Sequence, residues 1–291
     1  MTARQSRQGG SGREFQKVSG ELRARMTDGT YPLRSFLPAQ RDLAAEFEVS
    51  RDTVQRALRE LVDEGWIESR QGSGSRVIKT QRIQSSTPRA TRTRLGMTLG
   101  PLISEAFEQP EVTLDVFTLT SESLDAHIRL QVERIRSGYI APQHIALRML
   151  LPDETMPLPY PRAKGDEGDE RPRQRLLAIT QRHTESLRVQ LNDLRTENLV
   201  PSVDLRIRHA PLIPAFKLYL LNGAEALHGM YEVIERQMDV GTGEVITALD
   251  VLGVGATLTH HVRDADPNSQ GSVFVNNMQM WFESVWNLLA E

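Results

Sequence analysis

The stretch of sequence that decides the fold covers residues 36–78 and reads FLPAQRDLAAEFEVSRDTVQRALRELVDEGWIESRQGSGSRVI. In its central part, apolar residues recur at the spacing of three and four that places side chains on one helix face. These residues are Val54, Ala57, Leu58, Leu61 and Val62. Ser50 precedes them and can accept a hydrogen bond from a first-turn N–H, while Gly65 follows as a helix stop. The pattern predicts a buried amphipathic helix between Ser50 and Gly65.

A shorter helix is predicted just before it, over residues 39–47. Its inner face consists of Leu43, Ala44 and Phe47. Residues 48–49 leave room only for a tight connection between the two helices. Two short helices joined in this way are typical of a helix-turn-helix.

A strand pair is predicted after the second helix. Residues 66–70 and 75–79 favour strands, and residues 71–74, Gln-Gly-Ser-Gly, favour a turn. The hairpin is the wing of a predicted α+β winged helix-turn-helix domain. Glycine allows the backbone to approach phosphate closely, and arginine supplies positive charge beside it. The residues of this kind at the tip are Arg70, Gly72 and Arg76.

Polar side chains occupy the face of the second helix that points away from the apolar stripe. They are Gln55, Arg56 and Arg59, and Arg51 projects from the first turn. Guanidinium and amide groups match the acceptor and donor edges of bases in the major groove. The sequence therefore predicts binding to double-stranded DNA.

The same stretch resembles the DNA-binding domain of the GntR family of bacterial transcription regulators. The family pattern reads LPSERELA, VSRxTVRxAL and EGxxxxRxGxGxxV, and this chain has LPAQRDLA, VSRDTVQRAL and EGWIESRQGSGSRV. The resemblance covers residues 14–79. It implies DNA contacts by Arg41, Ser50, Arg51, Thr53, Arg70 and Gly72.

Two positions depart from the family pattern. Ala39 replaces the usual capping serine, so the start of the first short helix loses about 1 kcal/mol of capping. Gln55 replaces a common arginine, which suggests contact with an adenine edge or a weaker phosphate contact. We expect Arg51, Thr53 and Gln55 to meet base edges. Phosphate or minor-groove contacts are expected from Arg41, Arg70 and the Gly72 backbone.

Composition and charge divide the chain of 291 residues into two domains. Residues 1–94 contain 18 Lys and Arg against 11 Asp and Glu, and the remainder contains 17 against 27. This asymmetry favours an N-terminal domain that binds a polyanion and an acidic second domain. The absence of cysteine excludes disulfides and favours a reducing compartment. With no signal-peptide core and no apolar run of membrane length, we expect a cytoplasmic protein without membrane contact.

The domain boundaries follow from changes in composition. Residues 1–13 are polar and predict a disordered tail. Residues 14–79 predict the winged domain, with a first helix that Gly20 weakens. Residues 80–94 have hardly any apolar residues and predict a linker. Residues 95–291 predict a mixed α/β domain for effector sensing and dimerisation.

The second domain alternates strand-like and helix-like segments. Residues 112–119 and 144–151 favour strands, and a helical stripe between them ends at Gly138, which predicts a βαβ unit. Residues 152–172 carry prolines and charges, and we expect a disordered loop there rather than a lid. Residues 174–197 predict a long helix. Further strands are predicted within residues 203–207, 216–221, 230–234 and 245–261, followed by a C-terminal helix over residues 274–289.

The second domain lacks the sequence patterns of catalysis. No G-x-S-x-G is present, and a zinc-deaminase pattern at His183 would need cysteine ligands. His260 and His261 are adjacent, so on a strand they would face opposite sides. We therefore expect no catalytic site, no metal and no cofactor. For Trp281 and Trp286 we expect one in the core and the other at a partner. The last quarter of the chain also loosely resembles the phospholipase D-like fold, without its H-x-K-x-x-x-x-D motif.

These features predict a sequence-specific transcription regulator that binds operator DNA as a homodimer. The second domain would bind a small-molecule effector and change the spacing of the two DNA-binding domains. The sequence does not distinguish a repressor from an activator. Two alternatives stay open at this point: an enzyme domain fused to a DNA-binding module, and a ligand-independent DNA-binding protein.

Overall fold

The computed structural model describes residues 5–27, 30–63, 66–70, 74–78, 82–85, 99–240, 244–253 and 256–291. They form a winged helix-turn-helix domain followed by a mixed α/β domain, as the sequence predicts. The predicted helix stop at Gly65 and the turn at residues 71–73 lie outside the described residues. Within the described part of the chain, no helix is long and apolar enough to cross a membrane.

The described part of the winged domain contains three helices and an antiparallel strand pair. The elements are α1 (Gln5–Thr27), α2 (Gln40–Glu46), α3 (Arg51–Asp63), β1 (Ile67–Arg70) and β2 (Gly74–Val77). Ile67 lies opposite Val77 and Arg70 opposite Gly74, which is the register of the predicted wing. A bridge between Phe36 and Arg76 joins the wing to the segment before α2.

The predicted apolar stripe of α3 forms the centre of this domain. Val54, Ala57 and Leu61 are fully buried, and they share one cluster with Leu22 and Met26 of α1. Burying a Val, Leu or Met side chain contributes about 1.5–3 kcal/mol. Helices α1 and α3 therefore hold each other in place through this cluster.

The ends of α2 and α3 match the sequence-based expectations. At the start of α3, the backbone N–H of Thr53 donates to the Ser50 hydroxyl at 3.1 Å, which confirms the predicted cap. The cap position of α2 is Ala39, and it makes no side-chain cap hydrogen bond. Between the helices, Glu48 has a φ of 54° in the predicted tight connection.

The N-terminal tail differs from its prediction. Residues 1–13 are expected to be disordered, but α1 begins at Gln5. Its buried half, from Val18 to Met26, packs in the core of the winged domain. Once a helix is nucleated, each added residue gains one hydrogen bond. A packed C-terminal half can therefore extend the helix into a polar segment that would not form one alone.

The second domain is built from a large sheet, a small sheet and four helices among its described residues. The helices are α4 (Leu99–Ala106), α5 (Glu122–Arg136), α6 (Arg171–Thr196) and α7 (Gln270–Leu288). The strands are β3 (Arg82–Ser85), β4 (Glu111–Phe117), β5 (His144–Pro152), β6 (Arg162–Ala163), β7 (Ser202–Ala210), β8 (Phe216–Leu221), β9 (Glu225–Met230), β10 (Glu232–Asp239), β11 (Val245–Leu252) and β12 (Thr257–Val262).

The described strands of the large sheet follow the order β3-β12-β9-β8-β4-β5-β7. Strands β4, β5 and β7 are parallel, and β4-α5-β5 is the predicted βαβ unit. On the other side of β4, the pairs β4-β8, β8-β9 and β9-β12 are antiparallel, whereas β12 and β3 at the edge are parallel. The small sheet has the order β10-β11-β6.

Helices cover both faces of the large sheet. On one face, α4, α5 and α6 bury their apolar sides against β4, β5 and β7. On the other face, α7 buries Val275, Phe282 and Trp286 against Leu150 and Leu218. Alternate residues of a strand point to opposite faces, so both faces of β4, β5 and β8 carry apolar side chains. The domain is therefore a three-layer α/β arrangement.

Two segments are more ordered than the sequence suggests. The predicted linker, residues 80–94, contains β3, which pairs in parallel with β12 because an edge strand leaves backbone groups to satisfy. The remaining linker residues lie outside the described residues. The predicted disordered loop at residues 152–172 contains buried Tyr160 and strand β6, where Ala163 pairs with Ala248. Its apolar and backbone groups have partners that are distant in sequence.

The two tryptophans of α7 share one cluster. Trp286 is buried, and Trp281 lies 5.0 Å from the Phe117 ring, edge to face. Both side chains therefore contact the same apolar cluster, and a contact of the partly buried Trp281 with a partner stays a prediction. The apolar side of α7 is wide enough to place both against the sheet.

The wing offers a matched pair of isoleucines for a stability test. Ile67 is 1% exposed and Ile78 is 46% exposed. We expect Ile67→Ala to lower the free energy of unfolding by about 2–5 kcal/mol because it leaves a cavity in the core. Ile78→Ala should change it by less than about 1 kcal/mol. Equilibrium denaturation checks this, and equal losses for both variants would contradict the placement of β1.

Candidate nucleic-acid interface

The exposed face of α3 carries the side chains with the best access to DNA bases. Arg51 and Gln55 are both exposed and lie four residues apart, so they are neighbours on the same helix face. Val54 lies between them in sequence and Leu58 follows Gln55 by three residues. Both are buried in the domain core. The core therefore fixes α3 while its polar side stays accessible.

Ser50 and Thr53 form a capping pair at the start of α3. Thr53 is 3% exposed, and its hydroxyl lies 2.9 Å from that of Ser50. The structure thus gives Thr53 a role in holding the helix start. A contact between Thr53 and a base edge stays a prediction, since its hydroxyl is already engaged.

The other predicted contact residues lie on α2 and on the wing. Arg41 is highly exposed, and its guanidinium lies 3.1 Å from the neighbouring Asp42 carboxylate. Arg76 on β2 donates to the Arg34 carbonyl at 3.1 Å and lies 3.8 Å from Glu68. The wing tip with Gly72 and the side chain of Arg70 lie outside the described residues, so their proposed contacts stay predictions.

Arg56 lies apart from Arg51 and Gln55. Its guanidinium carbon lies 5.0 Å from the centre of the Phe15 ring of α1. Together with Arg59, Arg56 lines a groove of about 730 Å³ between α3 and α6. This side of α3 therefore faces the second domain, which the sequence-based assignment of Arg56 to DNA contact did not anticipate.

The groove is bordered by an ion-pair bridge between the two domains. Glu60 of α3 lies 2.9 Å from Arg23 of α1 and 2.5 Å from Arg182 of α6. The side chains of Arg23 and Glu60 are only 4% and 11% exposed. Breaking a buried pair by removing one partner typically costs about 3–5 kcal/mol, because a buried charge is left uncompensated. Glu60 therefore connects the DNA-binding helix to the second domain.

Helix α1 and the wing make further contacts with the second domain. Gly20 of α1 lies so close to Arg129 of α5 that a Cβ there would stand 2.5 Å from the Arg129 Nε. The indole N–H of Trp66, at the start of the wing, donates to the Glu122 carboxylate at the start of α5. No local pattern marks Glu60, Trp66 or Glu122 as contact residues, because their partners lie far away in sequence.

Three histidines of the second domain pack against core or sheet residues. Burial lowers the pKa of His127 to about 3, so this core histidine is neutral. His260 is buried beside the Glu225 carboxylate at 2.5 Å. Burial, together with nearby His228 and His260, lowers the pKa of His261 to about 4, and its ring stacks on Phe274 at 3.7 Å. Among the described residues, no three His, Asp or Glu side chains are placed to share a metal ion.

Comparison with known proteins identifies the family of the N-terminal part of the chain. Residues 15–77 match the family model described as bacterial regulatory proteins, gntR family. The probable transcriptional regulator PhnF of Escherichia coli K12 is 39% identical over 64 residues, which cover 22% of this chain and 26% of PhnF. The Exu regulon transcriptional regulator of the same strain is 39% identical over 69 residues, covering 24% and 27%. The chain thus spans about a quarter of the length of these relatives.

Other similarities are more distant. The transcriptional regulator TreR of Bacillus subtilis is 26% identical over 142 residues, which cover 46% of this chain and 57% of TreR. The solved archaeal chromatin protein TrmBL2 aligns over 93% of this chain at 13% identity, with a TM-score of 0.28. The family match, the capped helix α3 and the wing all fall within the same residues. Residues 15–77 are therefore a winged helix-turn-helix domain of the GntR family.

Proposed function

We propose that this chain is a transcription regulator that recognises a specific operator by placing α3 in the major groove. The observation that carries the proposal is the pair Arg51 and Gln55, exposed and one turn apart on a capped, core-packed helix of a GntR-family domain. Its relatives PhnF, the Exu regulon regulator and TreR are named as transcriptional regulators, which supports the same function.

The proposed contacts divide into base edges and backbone. Arg51 and Gln55 make the direct base contacts, with Thr53 as a third candidate beside them. Phosphate and minor-groove contacts position the domain but carry little sequence information. These contacts are assigned to Arg41, Ser50, Arg70, Arg76 and the Gly72 backbone, whereas Arg56 faces the groove to the second domain.

The chain acts as a homodimer in this proposal. One α3 offers only a few base contacts, and two of them spaced by one DNA turn, about 34 Å, give a specific site. The operator is therefore close to palindromic. The second domain supplies the dimer contact and binds a small-molecule effector, and we assign it no catalytic role.

Contacts between the domains support control of the DNA-binding domain by the second domain. Glu60 of α3 pairs with Arg182 of α6, and Trp66 of the wing is bonded to Glu122 of α5. A ligand that shifts α5 or α6 would change these contacts. It would thereby move the two α3 helices relative to each other in the dimer.

Arg51→Ala tests the major-groove contact. We expect a loss of about 1–3 kcal/mol in binding to the selected operator, because a bidentate contact to a base edge is removed. The measurement is a mobility-shift titration at fixed salt. Arg206→Ala is the control, since Arg206 is 63% exposed on β7 of the other domain and should leave the affinity unchanged. Unchanged binding by Arg51→Ala would refute the assignment.

Gln55→Arg tests whether this side chain contacts a base directly. An amide matches adenine and a guanidinium matches guanine, so we expect one position in each half-site to change towards guanine. Selection of bound sequences from random DNA measures this. Gln237→Arg, at an exposed glutamine of β10, is the matched control. An identical consensus for Gln55→Arg and the unaltered chain would rule out direct contact.

A further inference from the structure

A small cavity lies in the second domain where β4 ends and α5 begins. Its volume is about 50 Å³. Residues 118–120 and 122–123 form one side, and the other side comes from β8, the small sheet and Arg175 and Ile179 of α6. The carboxyl ends of parallel strands and the following helix N-termini are where open α/β sheets bind ligands. The position alone does not define a site, but the side chains that line the cavity have unusual chemistry.

Charged side chains are buried around this cavity. Lys217 is 2% exposed, Glu122 is 5% exposed and Asp250 is 6% exposed. Lysine, glutamate and aspartate are almost never fully buried unless they are paired, because desolvating a charge is costly. These three lie on both sides of the cavity, and each has a partner: Glu122 is paired with Trp66, Asp250 with Arg236, and Lys217 with the Gly253 carbonyl. The cavity is therefore surrounded by buried polar groups.

Arg236 on β10 provides a hydrogen-bond donor for which the described residues offer no acceptor, which is evidence for a ligand. Its guanidinium is paired with the Asp250 carboxylate at 2.5 Å. Its Nε is buried and has no hydrogen-bond partner among the described residues. A buried guanidinium N–H without an acceptor is destabilising, because it has lost its hydrogen bond to water without gaining another. An acceptor group in the cavity would remove that cost.

The sign of the charge favours an anion. The lining contains three cations, Arg175, Lys217 and Arg236, and two carboxylates, Glu122 and Asp250. The wall therefore carries one net positive charge. The N-terminus of α5 adds partial positive charge, and Ser121 at its cap position makes no side-chain cap hydrogen bond.

The dimensions of the cavity set the size of the group that fits. A water molecule needs about 10–15 Å³ on the same measure, so a few heavy atoms fill the cavity. Arg175 and Ile179 line both this cavity and the 730 Å³ groove between α3 and α6. A ligand can therefore place a compact head group in the cavity and its remaining atoms in the groove.

We propose that this cavity binds the compact oxyanion group, a phosphate or a carboxylate, of a small-molecule effector. The inference rests on the proposed effector control of DNA binding and names its site. Arg236 and Lys217 hold the anion, and Arg175 closes the side towards the groove. Phosphate and carboxylate share the same chemistry here: a planar or tetrahedral set of acceptors for guanidinium and ammonium donors.

Glu122 connects the cavity to the DNA-binding domain. Its side chain lines the cavity, and its carboxylate accepts from the indole N–H of Trp66. Trp66 is fully buried in the core of the winged domain, and its backbone N–H donates to Leu61 of α3 at 2.8 Å. An anion in the cavity repels the Glu122 carboxylate and changes its contact with Trp66. Trp66 is thus a positioning residue between the cavity and α3.

Calorimetric titration of the full chain without DNA tests the site. The probes are inorganic phosphate and acetate up to about 10 mM, which nearly saturates even a millimolar site. We expect binding of at least one probe, weakened about tenfold by Arg236→Gln and by Arg175→Gln because each removes a charge-assisted contact. Arg175→Gln leaves the Arg236–Asp250 pair intact, so it also serves if Arg236→Gln does not fold.

The matched control is Arg206→Gln, which alters another Arg–Asp pair, with Asp204 at 2.7 Å on the surface. It should bind the probe as the unaltered chain does. No binding of either probe, or equal weakening by all three variants, would overturn the site. Because this experiment contains no DNA, it can fail while operator binding stands, and it can succeed while operator binding fails.

Trp66→Phe tests the connection to α3. This variant keeps an aromatic ring in the core but removes the donor to Glu122. We expect it to bind the calorimetric probe with unchanged affinity, whereas the probe no longer alters its operator affinity in a mobility-shift titration. In the unaltered chain the same probe should change operator affinity several-fold. An equal response in both proteins would overturn the role of Trp66.

Discussion

Burial of the apolar stripe of α3 against α1 is the interaction on which the other features depend. Val54, Ala57 and Leu61 have no exposed surface, and α1 supplies much of the surface that covers them. The same stripe turns Arg51 and Gln55 outward. Helix α1 also packs on α5 and so joins the winged domain to the second domain. One hydrophobic contact thus orients the exposed polar face of α3 and places it beside the other domain.

The second domain buries several charged side chains, although charged residues usually lie on the protein surface. Its large sheet has apolar layers on both faces, which form the core of the domain. The charged groups at the end of β4 do not contribute to that packing. Their desolvation is a cost that hydrophobic side chains of similar volume would avoid. Among these groups, the buried Arg236 Nε has no acceptor within the described part of the chain, and the proposed anion would supply one.

The sequence predicted local features well and distant contacts poorly. The stripe of α3, the Ser50 cap and the β4-α5-β5 unit depend on periodicity and neighbouring residues, so their signal lies within a short window. Tail residues from Gln5 onward became helical because of packing further along α1. Residues 152–172 became ordered because Tyr160 and Ala163 find partners more than 50 residues away. Glu60 and Glu122 carried no signal, since a lone glutamate on a helix is usually solvated.

Strand β3 limits how far the two domains can move apart. It is fixed to β12 in the large sheet, while β2 is fixed in the wing. Between Ile78 and Arg82 the chain has four Cα–Cα steps, which span at most about 14 Å when fully extended. Such a short connection keeps the end of the wing close to the edge of the large sheet. The ends of β2 and β3 therefore stay within about this distance of each other, and any change in the arrangement of the domains has to pivot near this connection.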